Sequence, residues 1–140
     1  MSISVSLAVL YVEDKFLIQL RDDIPGIVYP GHWGLFGGHI ENNETPEEAL
    51  KRELIEEIGY EVDCLTPWAT YQDESRWRYV FSAPLKIPIE QIVLGEGWDY
   101  ALVSVHSIIK GQHYSEVAGG VYPFVPSVRK ILLDFLAKGL

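Results

Sequence analysis

The chain opens on two apolar runs. Ser4 to Tyr11 is followed by Phe16-Leu17-Ile18-Gln19-Leu20, and the charged Glu13-Asp14-Lys15 lies between them. Two short apolar runs across a polar turn predict a β-hairpin. Pro25-Gly26 and Pro30-Gly31 then mark a loop, which leads into Trp33-Gly34-Leu35-Phe36 and the Gly37-Gly38 pair. From Thr45 the apolar period changes. Thr45, Pro46 and Glu48 stand where an N-cap, a first helical residue and the distal member of a capping box belong. Gly59 stands where a left-handed residue closes a helix. The spacing therefore predicts a helix over Pro46 to Ile58, with Leu50, Leu54 and Ile58 as its apolar stripe. Glu61 to Leu65, Trp68 to Tyr71, Arg76 to Leu85 and Ala101 to Val105 carry strand patterns. Gly111 to Pro123, with its Gly119-Gly120 pair, is long enough for a mobile flap. Ser127 is placed to cap a last helix in which Val128, Ile131, Leu132, Phe135 and Leu136 share a face. Strands on both sides of one helix, closed by another helix, predict an α/β fold of the α+β type with a mixed sheet between helices. With no repeats, linkers or low-complexity tracts, residues 1–140 are expected to form a single domain.

Composition narrows the function classes. Apolar residues make up 48% and charged residues 22% of the 140, the balance of a globular chain rather than a disordered one. No run approaches the ~20 apolar residues that span a bilayer. Met1 to Val12 lacks a leading positive charge and ends at Glu13-Asp14, so a first strand is expected there rather than a signal peptide. The lone Cys64 cannot form an internal disulfide and suits a cytoplasmic location, with a buried apolar role expected for its side chain. A net charge of −9 argues against nucleic acid and anionic membrane as partners. An anionic small molecule remains open to such a chain if metal ions or a few arginines supply local positive charge. His32, His39, His106 and His113 show no metal-ligand spacing.

Within the capped helix, Glu53, Glu56 and Glu57 are spaced i, i+3, i+4 and share one face. Like charges at this spacing destabilise a helix. Two readings are open: a solvated acidic face, or a cluster whose repulsion is relieved by hard divalent cations, which take carboxylate oxygens. The Gly37-Gly38 pair at a fixed distance upstream favours the second, because glycine lets backbone groups approach a ligand closely.

Gly38, Glu44, Arg52, Glu53, Leu54, Glu56, Glu57 and Gly59 fall in register with Gly-x5-Glu-x7-Arg-Glu-U-x-Glu-Glu-x-Gly-U, the motif of the Nudix family, where U is a bulky aliphatic residue. The chain departs from it only at the last position, Tyr60, which resembles a packing site. Trp33 to Glu41 is similar to the family's lead-in, with Phe36 where proline is common. Glu96-Gly97, followed by Val103-Ser104, resembles a MutT-type segment whose glutamate reaches the metal site. The resemblance implies an α/β/α sandwich and metal-dependent hydrolysis, by water attack at phosphorus, of a diphosphate linkage in a nucleoside di- or triphosphate or a nucleotide-sugar type substrate. It implies Mg²⁺ or Mn²⁺ held by Glu53, Glu56, Glu57 and the carbonyl of Gly37, with Glu96 as a fourth carboxylate or a plain surface residue. The general base stays undecided, with Glu53 the first choice and Glu96 the second. Arg52 is expected to pair with Glu56 or Glu44 and brace the carboxylates, with Glu44 structural.

For the substrate, a small nucleotide-type molecule, the candidates are Arg21, Arg76, Arg78 and Tyr79. In Arg76 to Phe81 the arginines share one strand face and the aromatics the other, and the simplest outcome buries the aromatics and exposes the arginines. Pro126-Ser127 stands where MutT-type enzymes that read oxidised guanine carry an Asn, which argues against that specificity. A homodimer is compatible with the sequence. Two other classes compete: a catalytically silent nucleotide sensor, and an isomerase or glycosyl hydrolase of the same fold. The retained Glu53, Glu56 and Glu57 speak against both, and Cys64 lies outside the place a catalytic cysteine needs.

Overall fold

The computed structural model describes residues 3–73 and 75–138. The elements in chain order are β1 (Ile3–Val12), β2 (Lys15–Leu20), β3 (Trp33–Gly34), β4 (Phe36–His39), α1 (Pro46–Ile58), β5 (Thr66–Gln72) and β6 (Arg76–Pro84). A one-turn 3₁₀ helix (Ile89–Gln91) follows, then β7 (Asp99–Val103), α2 (Val105–Lys110), β8 (Gln112–Ser115), β9 (Gly120–Pro123) and α3 (Pro126–Ala137). The fold class is the α+β one expected, with mixed strand pairing and three helices among the described residues. None of those helices is long and apolar enough to cross a membrane. The contacts divide the chain into two compact units, Met1–Tyr11 with Phe36–Glu96, and Val12–Leu35 with Gly97–Leu140.

In the first unit β1 pairs parallel with β6, from Ile3 opposite Arg76 to Tyr11 opposite Pro84. It pairs antiparallel with β4, where Ser6 faces Gly38 and Leu7 faces Gly37. β5 closes the unit's sheet antiparallel to β6, with an irregularity between Pro67 and Ala69. The helix α1 begins and ends where its local chemistry dictates. Thr45 Oγ1 accepts the Glu48 amide at 3.1 Å, Glu48 Oε1 accepts the Thr45 amide at 2.9 Å, and Gly59 takes φ 64°. Leu50 and Leu54 are fully buried and Ile58 almost so. Each such side chain stabilises the fold by roughly 1.5–3 kcal/mol. Ser6 Oγ donates to the Pro46 carbonyl at 2.7 Å, which ties β1 to the first turn of α1. Tyr60 is buried as a packing residue, and its hydroxyl bonds the Pro84 carbonyl and accepts the Lys86 amide at 3.1 Å.

In the second unit β2 lies between β3 and β7, antiparallel to both. Val128, Ile131, Leu132 and Phe135 of α3 are buried, and Phe135 meets Phe16 edge-on at 5.9 Å. Arg129 donates to the Ile108 and Ile109 carbonyls at 2.9 and 2.7 Å, closing the C-terminal end of α2.

Five local expectations are corrected. Glu61 to Leu65 is not a strand; its alternation reflects burial of Val62 and Leu65 in a segment with no ladder partner. Val105 opens α2 instead of ending a strand. Gly111 to Pro123 contains the β8–β9 hairpin, with Tyr114 opposite Val121. The last helix is capped at Val125 with Pro126 in its first turn, so Ser127 lies inside it. Cys64, expected to be buried, is exposed.

Candidate active site

The three carboxylates on α1 occupy different environments. Glu57 is 4% exposed, while the side chains of Glu53 and Glu56 are 17% and 58% exposed. Glu57 Oε1 accepts the Gly37 amide at 2.9 Å, which pins the helix to β4. The two glycines clear space on either side of β4. Any Cβ on Gly37, at φ 145°, would overlap the Ser6 carbonyl, and one on Gly38 would stand 2.6 Å from the Glu53 carboxylate. Gly38 thus lets β4 lie directly against the acidic face of the helix, while Gly37 lets it lie close on β1.

A single guanidinium organises the cluster. Arg52 grips Glu44 with Nε and Nη2 at 2.7 and 3.0 Å. Its Nη1 donates to Glu53 Oε1 at 2.9 Å and reaches Glu56 at 3.5 Å. Nη2 also donates to the His39 carbonyl at 3.1 Å and lies 3.8 Å from Glu41. Of the two pairings expected for Arg52, Glu44 takes the bidentate one and Glu56 the longer one. The His39 carbonyl and Glu41 are additions that no local pattern signals, because the loop before α1 delivers them. The grip holds the Glu44 carboxyl below its usual range, chiefly through the Arg52 hydrogen bond. Glu53 behaves oppositely: burial raises it, Arg52 opposes the shift, and the charges of Glu56 and Glu96 add to the rise.

Glu96 belongs to the same neighbourhood. The Gly95 amide donates to the Glu57 carbonyl at 2.7 Å and the Val93 amide to the Ile58 carbonyl at 3.4 Å, so the loop bearing Glu96 sits on the C-terminal end of α1. The structure therefore gathers Gly37, Arg52, Glu53, Glu56, Glu57 and Glu96 into one region of the first unit. The remaining candidates have local partners. Arg78 Nη1 bonds Asp73 at 2.9 Å, and the Arg76 amide bonds the same carboxylate. Tyr79 stacks on Trp77 at 6.2 Å. Both rings are half-buried like the two arginines, and only Phe81 of the aromatics is fully buried, so the expected division into core and solvent faces is not sharp. Arg21, in the second unit, donates to the Val28 carbonyl at 2.7 Å and braces its own loop.

The donor set fits a hard divalent cation. Its groups are carboxylates, and Glu53 carries a burial and like-charge penalty that a cation relieves. Among the described residues no three acidic, histidine or cysteine side chains converge as a finished ligand cage. Glu57 is held by Gly37, and Glu53 and Glu56 lean toward Arg52.

A family model described as the NUDIX domain matches residues 2–123. The chain belongs to the Nudix family. Its members generally use divalent metals. Among curated relatives it is 49% identical over 51 residues to nucleoside triphosphatase NudI of Enterobacter sp. (strain 638), covering 35% of this chain and 36% of that protein. It is 47% identical over 62 residues to NudI of Escherichia coli O139:H28, covering 43% and 42%. The chain thus matches well under half the length of these relatives. Among solved structures, a MutT protein from Methanosarcina mazei Go1 superposes with TM-score 0.73 at 19% identity, over 98% of this chain and 94% of that one. The Escherichia coli ORF135 protein superposes with TM-score 0.71 at 24% identity, over 97% and 89%. At these identities the likeness establishes the Nudix fold.

Proposed function

We propose that this Nudix chain is an Mg²⁺- or Mn²⁺-dependent hydrolase that cleaves a diphosphate linkage in a nucleoside triphosphate. The observation that carries the reading is the Glu53 carboxylate, packed against Gly38, bonded to Arg52 and set in the field of Glu56 and Glu96. The likeness to nucleoside triphosphatases supports the substrate class. Glu53, Glu56, Glu57, Glu96 and the Gly37 carbonyl would hold the ion, which supplies charge neutralisation at the diphosphate and the leaving oxygens. In the hydrolytic step a water oxygen forms a bond to phosphorus, the bridging P–O bond breaks, and Glu53 takes the water's proton. Arg52 keeps Glu53 in place and stays protonated throughout, since its carboxylate partners push it further up from an already high value. The acidic surface suits a small-molecule substrate better than nucleic acid. A cytoplasmic setting, where an exposed thiol such as Cys64 stays reduced, agrees with this role.

The test is Glu53→Gln and Glu57→Gln, assayed on a panel of nucleoside triphosphates and nucleotide sugars with products identified by mass. Both variants should lose ~10²- to 10⁴-fold in kcat, while the melting temperature of Glu53→Gln in EDTA is unchanged or raised. Rates within about threefold of the parent in both would leave these glutamates with a structural role only and remove the hydrolase reading.

A further inference from the structure

The last four carbonyls of a helix lack partners inside it, and the negative end of its dipole disfavours carboxylates nearby. In α1 that end carries Glu56 and Glu57 and has no basic residue in its last turn. Three of its last four carbonyls are met by backbone amides. Ile55 accepts from Gly59 at 3.0 Å, Glu57 from Gly95 at 2.7 Å and Ile58 from Val93 at 3.4 Å. Two of these three donors come from the loop that ends in Glu96, and the shortest bond is that of Gly95.

At Gly95 space, rather than backbone conformation, excludes a side chain. Its φ is not positive, so the penalty that a left-handed backbone puts on a side chain does not arise there. A Cβ would nevertheless stand 2.5 Å from the Glu56 carbonyl oxygen and 3.5 Å from that of Glu57. Both obstacles are helix backbone, which cannot rotate aside as a side chain does. The loop with any larger residue must lift off the helix end, and Glu96 is the next residue along.

We infer that Gly95 is a positioning residue: its bare α-carbon lets the loop latch onto the C-terminal carbonyls of α1, and the latch sets where the Glu96 carboxylate stands beside Glu53. The inference rests on the hydrolase reading, in which Glu96 serves the metal site. It also explains how an exposed glutamate on a loop holds a defined place. The latch fixes its backbone by two hydrogen bonds to a helix that is itself buried along Leu50, Leu54 and Ile58.

The experiment compares Gly95→Ala, Glu96→Gln and the double variant with the parent. The readouts are Mn²⁺ affinity by electron paramagnetic resonance, kcat, and amide hydrogen exchange of the metal-free protein. Gly95→Ala should lose exchange protection at positions 93 and 95 and weaken Mn²⁺ binding by ~10- to 100-fold, as loss of an outer support does. The double variant should be no worse than Glu96→Gln alone within about twofold, because a latch that acts through Glu96 has nothing left to position. Losses that multiply in the double variant overturn the inference, as does a Gly95→Ala protein that keeps the parent's affinity or protection. If Gly95→Ala does not fold, Val93→Pro replaces it. That residue is 73% exposed, and Ile92 before it, at φ −70° and ψ 130°, accepts a following proline, so the change deletes one latch amide without touching the core. It should reproduce the same non-additivity at smaller amplitude, and additivity there overturns the inference equally. Glu53→Gln separates the two levels. If it matches the parent in Mn²⁺ binding and rate, the hydrolase reading fails. If it loses both while Gly95→Ala loses neither, the hydrolase stands and the latch falls.

Discussion

Arg52 shows how much one side chain does at this site. Its five donors are shared among Glu44, Glu53, Glu56 and the His39 carbonyl, and the bidentate grip on Glu44 uses the planar fork that only arginine has. Arg52→Ala should therefore lower metal affinity and kcat by ~10- to 100-fold with an unchanged circular dichroism spectrum. Arg52→Lys should recover only part of that, because a point ammonium cannot hold Glu44 on two atoms and still span to Glu53. Full recovery by lysine would show that charge alone matters, and an unaffected alanine variant would make Arg52 an ordinary surface residue. The pairing of Arg52 with Glu44 and Glu56 was legible in the sequence, because spacing along one motif fixes which side chains meet. The glycine pair was legible only in kind. Close approach was expected of Gly37 and Gly38, but what approaches is the pair of carboxylates on the chain's own helix. The His39 carbonyl, Glu41 and Gly95 were not legible, since each reaches the site by a loop path that no periodicity encodes.

Elements follow the same division. The helix α1 was readable to the residue, because capping is chemistry between neighbours: Thr45 with Glu48 at one end, Gly59 at the other. That makes the cap testable by itself. Thr45→Ala should lower unfolding free energy in urea by about 1 kcal/mol. It should leave kcat intact at temperatures where the protein stays folded, since the cap lies two turns from Glu53. A change below a few tenths of a kcal/mol would mean that the packing of Leu50 and Leu54 alone sets where the helix starts. The failures lie where burial and hydrogen bonding part company. Glu61 to Leu65 alternates because Val62 and Leu65 are buried, yet no strand pairs with it. The helix α2 has six residues with only Ile108 buried, too few for a helical period to emerge from the strand before it. In the β8–β9 hairpin Tyr114 and Val121 face each other while exposed, so apolar pattern gave no strand signal there. The turn is closed instead by polar bonds, Ser115 Oγ to Asp99 at 2.7 Å and the Ala118 amide to Ser115 Oγ at 3.0 Å.

At the scale of the molecule the governing quantity is charge. A net charge of −9 on 140 residues stores self-repulsion that any added salt screens, so stabilisation by magnesium chloride alone proves nothing. Specific binding has a different signature. An ion that binds only the folded chain adds about 2.7 kcal/mol of stability at a hundred times its dissociation constant. For a chain of this length that shifts the melting temperature by roughly 10 °C. General screening acts on the whole surface and should be indifferent to one or two buried carboxylates. Site binding depends on Glu53 and Glu57, which lose their charge but keep their shape as glutamines. Melting curves in Mg²⁺ should therefore lie well above those in sodium chloride of equal ionic strength for the parent. The two salts should give the same melting temperature for the Glu53→Gln, Glu57→Gln double variant. Glu53→Gln alone in EDTA should melt no lower than the parent, because it sheds a carboxylate that burial and its like-charged neighbours disfavour. Equal shifts with both salts in the parent, or a magnesium-specific shift that survives in the double variant, would place the ion elsewhere on the acidic surface and leave the α1 carboxylates without a metal to hold.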